Sequence, residues 1–597
     1  MTELESVTKS LHDLLTDSSQ DEGSFSRALE TYLTSDESST KSSACDAFLE
    51  VLNEEDEETQ NQRRTFLLED TALTYIPLLL PLTTKCPKSA PALLSLIASY
   101  GRPREVVLGL TEGIQYILER SEGFVVSDME DEEGEGEDDV DWVGLLAELE
   151  IILVGCKTAI PRLPNARSTP TLLSVAETIS SALPILSHHA TLVSSWSVLL
   201  AICDLVEVIW EWVQTTSDAG GEQRSILSNL LFEAVTLFGH KVGAKLTERW
   251  FLSTFPRFGG PRALGVLEQA SAEDWKAGAE VLERARKTAH SLDFTDQDLL
   301  DKIINVNSLT PHGSLASLNL LAGGIATDDF SALLPSPLPA NILGDCLPIL
   351  SAALGGSAVD AGTTWTWCLV HRALLQKNEG VERDFASIAE YDDTSMLVEL
   401  LVPLTAQHPS PIMRLALFKL IGGVITLHPS SSDKIQLFKQ LLEPANPFDN
   451  IRIQSLSLLR EEITADPTLL STELLSQLTP ILFSSNFIQD DSPPSPVDLL
   501  NSPLPTIWTE CCSLIWFISN RDTSNKTGLK TEYQDQVQEW LAGIETKLGE
   551  CKVFSSSPSD GQEEQEHGHS HDDLIGEGFV LARWEDALGR AKTAMGL

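Results

Sequence analysis

Residues 410–425, SPIMRLALFKLIGGVI, and residues 446–463, NPFDNIRIQSLSLLREEI, decide how the rest of the chain is read. Each begins at a proline turn and continues with apolar residues three or four apart, the period of an amphipathic helix. One offset of 38 residues superposes Leu415, Phe418, Ile421 and Ile425 on Ile453, Leu456, Leu459 and Ile463, and Arg414 on Arg452. Repeats of the HEAT and armadillo type recur at about 40 residues, because one helix pair cannot bury its apolar face until the next stacks on it. In the second stretch Asp449 or Asn450 can accept a bond from the unpaired N–H groups of the first turn, and Arg460, Glu461 and Glu462 are left for solvent.

The helical period runs through most of the 597 residues, and no series of alternating strands with hairpin turns interrupts it. Short breaks punctuate it, among them Lys85-Cys86-Pro87, Gly101-Arg102-Pro103 and His408-Pro409-Ser410-Pro411. Breaks so frequent suit antiparallel helix pairs with short loops. The 38-residue register does not extend to earlier segments, so there the solenoid rests on helix pattern alone. The expected fold is all-α: an elongated α-solenoid of HEAT/armadillo-like helical repeats with acidic disordered linkers.

The expected organisation has six parts: residues 1–60, an acidic Ser-rich segment, partly helical; 61–126, N-terminal helical repeats; 127–142, an acidic linker; 143–550, the helical-repeat array; 551–576, a polar flexible linker; and 577–597, a short amphipathic helix. In the last, Phe579, Leu581, Trp584 and Leu588 provide a face with which the helix docks back on its own array. The Gly-rich pieces LAGGIATDD (321–329) and LGGSAVDAG (354–362) lack the strand-then-helix setting of a phosphate cradle and read as helix ends.

There are 41 Lys+Arg against 88 Asp+Glu, a formal net charge of −47. That balance disfavours direct nucleic-acid binding, which depends on neutralising phosphates. It repels anionic membranes and attracts basic partners at low salt. The start, MTELESVTKSLHDLL, shows no secretory signal, which places the chain in the cytoplasm, with the nucleus as second compartment. The most apolar stretch, 192–213, carries Asp204, Glu207 and Glu211 and reads as a buried amphipathic helix rather than a membrane span. The nine cysteines include no C-x-x-C pair, and they read as buried small hydrophobes in a reducing compartment.

No P-loop, dinucleotide fingerprint, H-E-x-x-H pair or nucleophile elbow is present, so neither catalytic residues nor a cofactor is expected. His567, His569 and His571, beside Asp572 and Asp573, resemble a metal cluster, but in a flexible tail nothing would hold the outer partners such a site needs. No metal is assigned there. His188-His189 reads as a helix end or surface pair. The acidic run lacks the spacing of a calcium loop. Ser19, Ser35 and Ser127 are flanked by acids and suit phosphorylation. A thiol enzyme, the remote alternative, would use Cys368 with His371 three residues on and Arg372 beside it; apolar neighbours favour core packing instead.

PFDNIRIQSLSLLREEI (447–463) resembles the P-[FY]-x-N-[IV]-R signature of the glomulin and fungal Yap-binding-protein family, and YGRPREVVLGLTEGIQYI (100–117) is similar to that family's N-terminal segment. The residues that carry the likeness are Arg104, Glu105, Phe448, Asp449, Asn450 and Arg452. The resemblance implies a non-enzymatic adaptor that binds an AP-1-like bZIP transcription factor and supports its peroxide-dependent oxidation by a thiol peroxidase. It also implies two alternatives: masking of the RING subunit of cullin ubiquitin ligases, as glomulin does, and a kinetochore-associated scaffold. At helix starts these residues are also expected to cap and to fix the angle at which one repeat meets the next.

Overall fold

A computed structural model of the chain describes residues 9–10, 22–35, 37–53, 57–125, 140–164, 168–216, 220–258, 274–304, 311–325, 334, 338–378, 388–484, 495–556 and 571–597. Among the described residues there is no strand, and the fold is an all-α stack of helical repeats. It divides into two compact units, residues 1–334 with 348–365 and residues 335–347 with 366–597.

The first unit begins with α1 (Glu22–Leu33), α2 (Ser38–Val51), α3 (Glu57–Leu68), α4 (Ala72–Leu79), α5 (Ser89–Tyr100), α6 (Pro103–Val125) and α7 (Trp142–Ala159). It continues through α8 (Ser168–His189), α9 (Leu192–Thr216), α10 (Gly220–Phe238), α11 (Leu246–Thr254), α12 (Asp274–Ser291), α13 (Asp296–Ile304) and α14 (Pro311–Ile325). Helices α4, α6, α8, α10 and α14 pack in succession, and so do α5, α7, α9 and α12. Up to α9 and α10 each helix of these rows thus meets the one two places further on, the stacking by which helix pairs bury a continuous core; beyond them α9 meets α12 and α10 meets α14. Helix α9, long and apolar enough by composition to cross a membrane, is here a core element. Its Asp204 and Glu207 bond Arg284 of α12, and Lys157 of α7 pairs with Asp204 at 3.1 Å.

Helices α15 (Ile342–Ala352) and α16 (Val359–Asn378) contribute residues to both units. The second unit contains α17 (Tyr391–Gln407), α18 (Pro411–Leu427), α19 (Ser431–Leu442), α20 (Asp449–Ala465) and α21 (Thr472–Leu482). After them come α22 (Pro496–Asn501), α23 (Leu504–Arg521), α24 (Gln534–Ser556) and α25 (His571–Met595). Two rows recur. The Trp367 indole of α16 donates to Ala416 O of α18 at 3.1 Å, Lys419 of α18 pairs with Glu461 of α20 at 3.1 Å, and α20 packs on α23. In the other row Ser395 of α17 bonds Gln440 of α19, and α19 packs on α21.

The 38-residue offset is visible in burial. Phe418, Ile421 and Ile425 are buried, as are Leu456, Leu459 and Ile463, while Leu415 and Ile453 are both half-buried. Helices α18 and α20 each have 17 residues, and their first residues are also 38 apart. The C-terminal helix docks on its own unit through Leu581, Trp584 and Leu588, with Trp584 5.3 Å from Trp508; Phe579 stays exposed. It begins at His571, so residues 571–576 are helical rather than part of the polar linker.

Two local expectations need amendment. Asp141 and Trp142 do not belong to a linker: Asp141 caps α7 by accepting from Gly144 N at 2.9 Å, and Trp142 opens the helix. Gly323 and Gly324 lie inside α14 near its end, where a Cβ on Gly324 would reach 2.3 Å from an Arg286 nitrogen; they admit close packing. Gly356, at φ 130°, does end a helix as expected, in the turn after α15.

Candidate interaction surface

At the entrance of α20 one of the two expected acceptors is used and the other is not. Phe448 occupies the capping position and has no side-chain acceptor to offer, while Asp449 is turned to Arg452 at 3.0 Å. Asn446 organises the turn instead, accepting from Phe448 N at 3.1 Å and donating to Leu441 O at 2.9 Å. Asn450 accepts from Ile451 N at 3.0 Å and is otherwise exposed. Arg452 donates to Leu442 O, the last residue of α19. Its counterpart Arg414 does the same work one repeat earlier, donating to His408 O at 2.7 Å just past the end of α17. The paired arginines therefore hold the preceding helix end, whose carbonyls lack partners of their own.

Arg104 and Glu105 belong to the other unit. Arg104 is exposed, and Glu105 faces Arg102 at 3.8 Å. Arg102 pairs with Asp70 at 2.6 Å, while Arg162 holds the same turn by donating to Ala98 O and Gly101 O at 2.6 and 2.9 Å. Of the six likeness residues, the structure brings together Asp449 and Arg452 in one ion pair and gives Arg104 no bond of that kind.

This use of cations is general. Arg224 donates to Leu292 O and Asp293 O, Lys241 to His188 O and Lys377 to Thr426 O, each a carbonyl at or near a helix end. Others pair with internal carboxylates: Arg286 with Asp296 at 2.6 Å, and Lys434, only 3% exposed, with Asp466 at 3.3 Å. Sequence reasoning missed this pattern because the partner carbonyl lies anywhere from 5 residues away, for Arg414 and Pro409, to 69, for Arg224 and Asp293.

The nine cysteines are free and buried. Burial pushes the Cys156, Cys203 and Cys512 thiols up to about 12, and raises Cys368 further. Burial also lowers His371. Both shifts oppose the thiolate–imidazolium pair that a reactive cysteine needs. His188 and His189 end α8, where His189 stacks on Trp142 with ring centroids 3.6 Å apart. Among the described residues no cluster of His, Cys, Asp or Glu is arranged to hold a metal ion. Residues 567–570 of the His cluster, the acidic segment 126–139, Ser19 and Ser127 lie outside the described residues.

One open pocket faces solvent between α4 with its following turn and α6. Pro77, Leu80, Pro81, Gly113, Tyr116, Glu119 and Arg120 line a volume of about 190 Å³. Gly113 makes the floor: a Cβ there would come within 2.5 Å of Leu80 Cδ1. Tyr116 is 48% exposed. Further toward the start of the two helices Leu73 and Leu108 are exposed as well. Arg120 is fixed by both its terminal nitrogens to the buried Glu148 of α7.

No family model matches the chain, and no curated protein matches it. Among solved structures it is similar, at 13% identity and a TM-score of 0.29, to one titled crystal structure of Uso1-2, with 100% of this chain and 99% of that chain covered. The fold therefore rests on the helix packing described above.

Proposed function

We propose that the chain is a non-enzymatic adaptor that holds protein partners through the outside of its helical repeats. The observation that supports this reading is the shortage of cations, several of which are engaged by helix-end carbonyls or by carboxylates of neighbouring helices. In a chain of net charge −47 that leaves an acid-rich exterior, suited to a basic partner. The resemblance to the glomulin and fungal Yap-binding family supplies the kind of partner, an AP-1-like bZIP factor whose DNA-binding helix is strongly basic. Bringing that factor and a thiol peroxidase onto one scaffold would raise their effective concentration, to roughly millimolar for a short connection. The scaffold's own thiols, all buried, take no part.

A tagged chain recovered from its own cell extract, before and after brief peroxide and at two salt concentrations, tests this. Recovery of a bZIP factor or thiol peroxidase supports the stress-response adaptor, and loss at high salt assigns the contact to charge. Recovery of cullin and RING subunits, or of kinetochore proteins, replaces that partner assignment. A peroxide-dependent activity of the isolated chain that disappears in a folded Cys368→Ala variant would overturn the non-enzymatic reading.

A further inference from the structure

We infer that the pocket between α4 and α6 is the anchor point for a short cationic peptide segment of a partner, one bulky apolar side chain entering the pocket and flanking lysines or arginines lying on the acidic rim. The inference rests on the adaptor reading and assigns it a place and a chemistry. Size comes first. A volume of about 190 Å³ is below the ~300 Å³ at which pockets for cofactors and drug-sized ligands begin. It exceeds the ~150 Å³ cavity that accommodates a benzene ring. One leucine, phenylalanine or tryptophan side chain is therefore the fitting occupant.

The lining agrees with that. Pro77, Leu80, Pro81 and the Tyr116 ring present carbon, and Gly113 keeps the floor open where any side chain would meet Leu80. Neither proline has a backbone N–H to offer, so this wall gives a ligand little to bond and favours an apolar group. Pocket residues with this exposure do not bury one another in the isolated chain.

The sign of the rim selects the flanks. Arg120, the cation of the lining, already has its charge matched by the buried Glu148. Glu119 in the lining and Glu112, one turn before Tyr116 on α6, have no bonding partner among the described residues, and both are exposed. Immediately after α6 the sequence runs VSDMEDEEGEGEDD (126–139), with no lysine or arginine, before Asp141 caps α7. An acidic peptide would be repelled there, whereas a basic one is steered in.

The test uses the full chain and a fluorescein-labelled amphipathic peptide of leucine and lysine, read by anisotropy at near-physiological salt. Two relatives of the peptide serve as comparators, one with every leucine replaced by serine and one with every lysine replaced by glutamate. The expected result is saturable binding of the leucine–lysine peptide alone. Glu112→Lys with Glu119→Lys, and separately Tyr116→Ser, should each weaken it by about tenfold or more. The pair Asp535→Lys and Glu539→Lys makes the same charge change in the other unit and should alter it by less than about twofold. All these side chains are at least partly exposed, so far-ultraviolet circular dichroism should stay unchanged.

Equal weakening by both charge-reversed pairs, equal binding of the serine peptide, or no saturable binding would each overturn the assignment. Partner recovery from extract with the Glu112→Lys/Glu119→Lys chain separates the two levels. If peptide binding fails while partners are still recovered, the pocket falls and the adaptor reading stands. If the peptide binds as expected and no partner is recovered at either salt concentration, the adaptor reading falls.

Discussion

Arg452 and Arg104 are both arginines near a helix start, and the sequence gives them equal standing. The structure does not. Arg452 joins Asp449 to Leu442 O, so Arg452→Ala releases a carboxylate and a helix-end carbonyl. It should cost about 1–3 kcal/mol in urea unfolding, as for other bonds to charged groups, while Arg104→Ala should stay within about 0.5 kcal/mol. Equal losses would show that the helix-end contact contributes nothing. Asp522 offers a pH-dependent case. Burial alone would raise its carboxyl, but bonds from Thr527 N–H and hydroxyl and from Lys526 N–H, at 2.7 to 2.8 Å, outweigh it and hold the group below its usual value. A pKa lower folded than unfolded contributes stability above the unfolded value of about 3.9, and that contribution disappears as pH falls through the folded value. Asp522→Asn should therefore be destabilised relative to the parent at pH 7, and the gap should narrow at pH 3. A gap independent of pH would assign it to lost hydrogen-bond geometry alone.

Single helices show what was legible and what was not. The apolar period found α18 and α20 and three of their four matched burial positions, because that signal comes from the many residues of one face. The entrance of α20 was read in part: Asn450 accepts a first-turn N–H as expected, whereas Asp449, with the right chemistry for a cap, is taken by Arg452 one turn on. The pocket on α6 gave no signal at all, since it consists of residues that fail to be covered. Glycines mark the closest helix contacts and make a sharp comparison. A Cβ on Gly278 of α12 would lie 2.1 Å from the backbone oxygen of Val242, whereas one on Gly589 of α25 meets nothing within 4 Å. Gly278→Ala should lower the melting temperature by the equivalent of about 1–3 kcal/mol, the cost of overpacking. Gly589→Ala should raise it slightly, by ~0.5–1 kcal/mol. Similar effects at both sites would mean that α12 shifts freely against the turn at Val242.

On the scale of the whole molecule the charge balance was legible, but its distribution was not. The sequence counts acids and bases; only the fold shows that some bases, among them Arg162, Arg224 and Lys434, are engaged by helix-end carbonyls or by carboxylates, while others such as Arg102 stay exposed. Self-repulsion of the remaining acids is a long-range effect that salt screens, whereas the buried pairs are shielded from it. Raising sodium chloride from about 20 mM to about 500 mM should therefore raise the melting temperature by several degrees in a thermal scan. A fall would mean that surface pairs, not repulsion, dominate. The regular 38-residue offset likewise hid a less regular stack: the bonds that join successive helices of one row in the second unit span 49 residues from α16 to α18, 36 and 42 from α18 to α20, and 50 from α20 to α23. Loops of different length separate similar helices, so a fixed sequence period fails although the packing repeats.

The helix-end arginines also bear on how such a sequence can drift. Exchange of an exposed, unpaired glutamate such as Glu112 or Glu119 disturbs no bond among the described residues, while loss of Arg162 or Arg224 frees two carbonyls at once. New acids on the outside are tolerated singly, and the basic residues inside are each held to their place. Substitution of the outer acids should therefore be far better tolerated than substitution of these arginines.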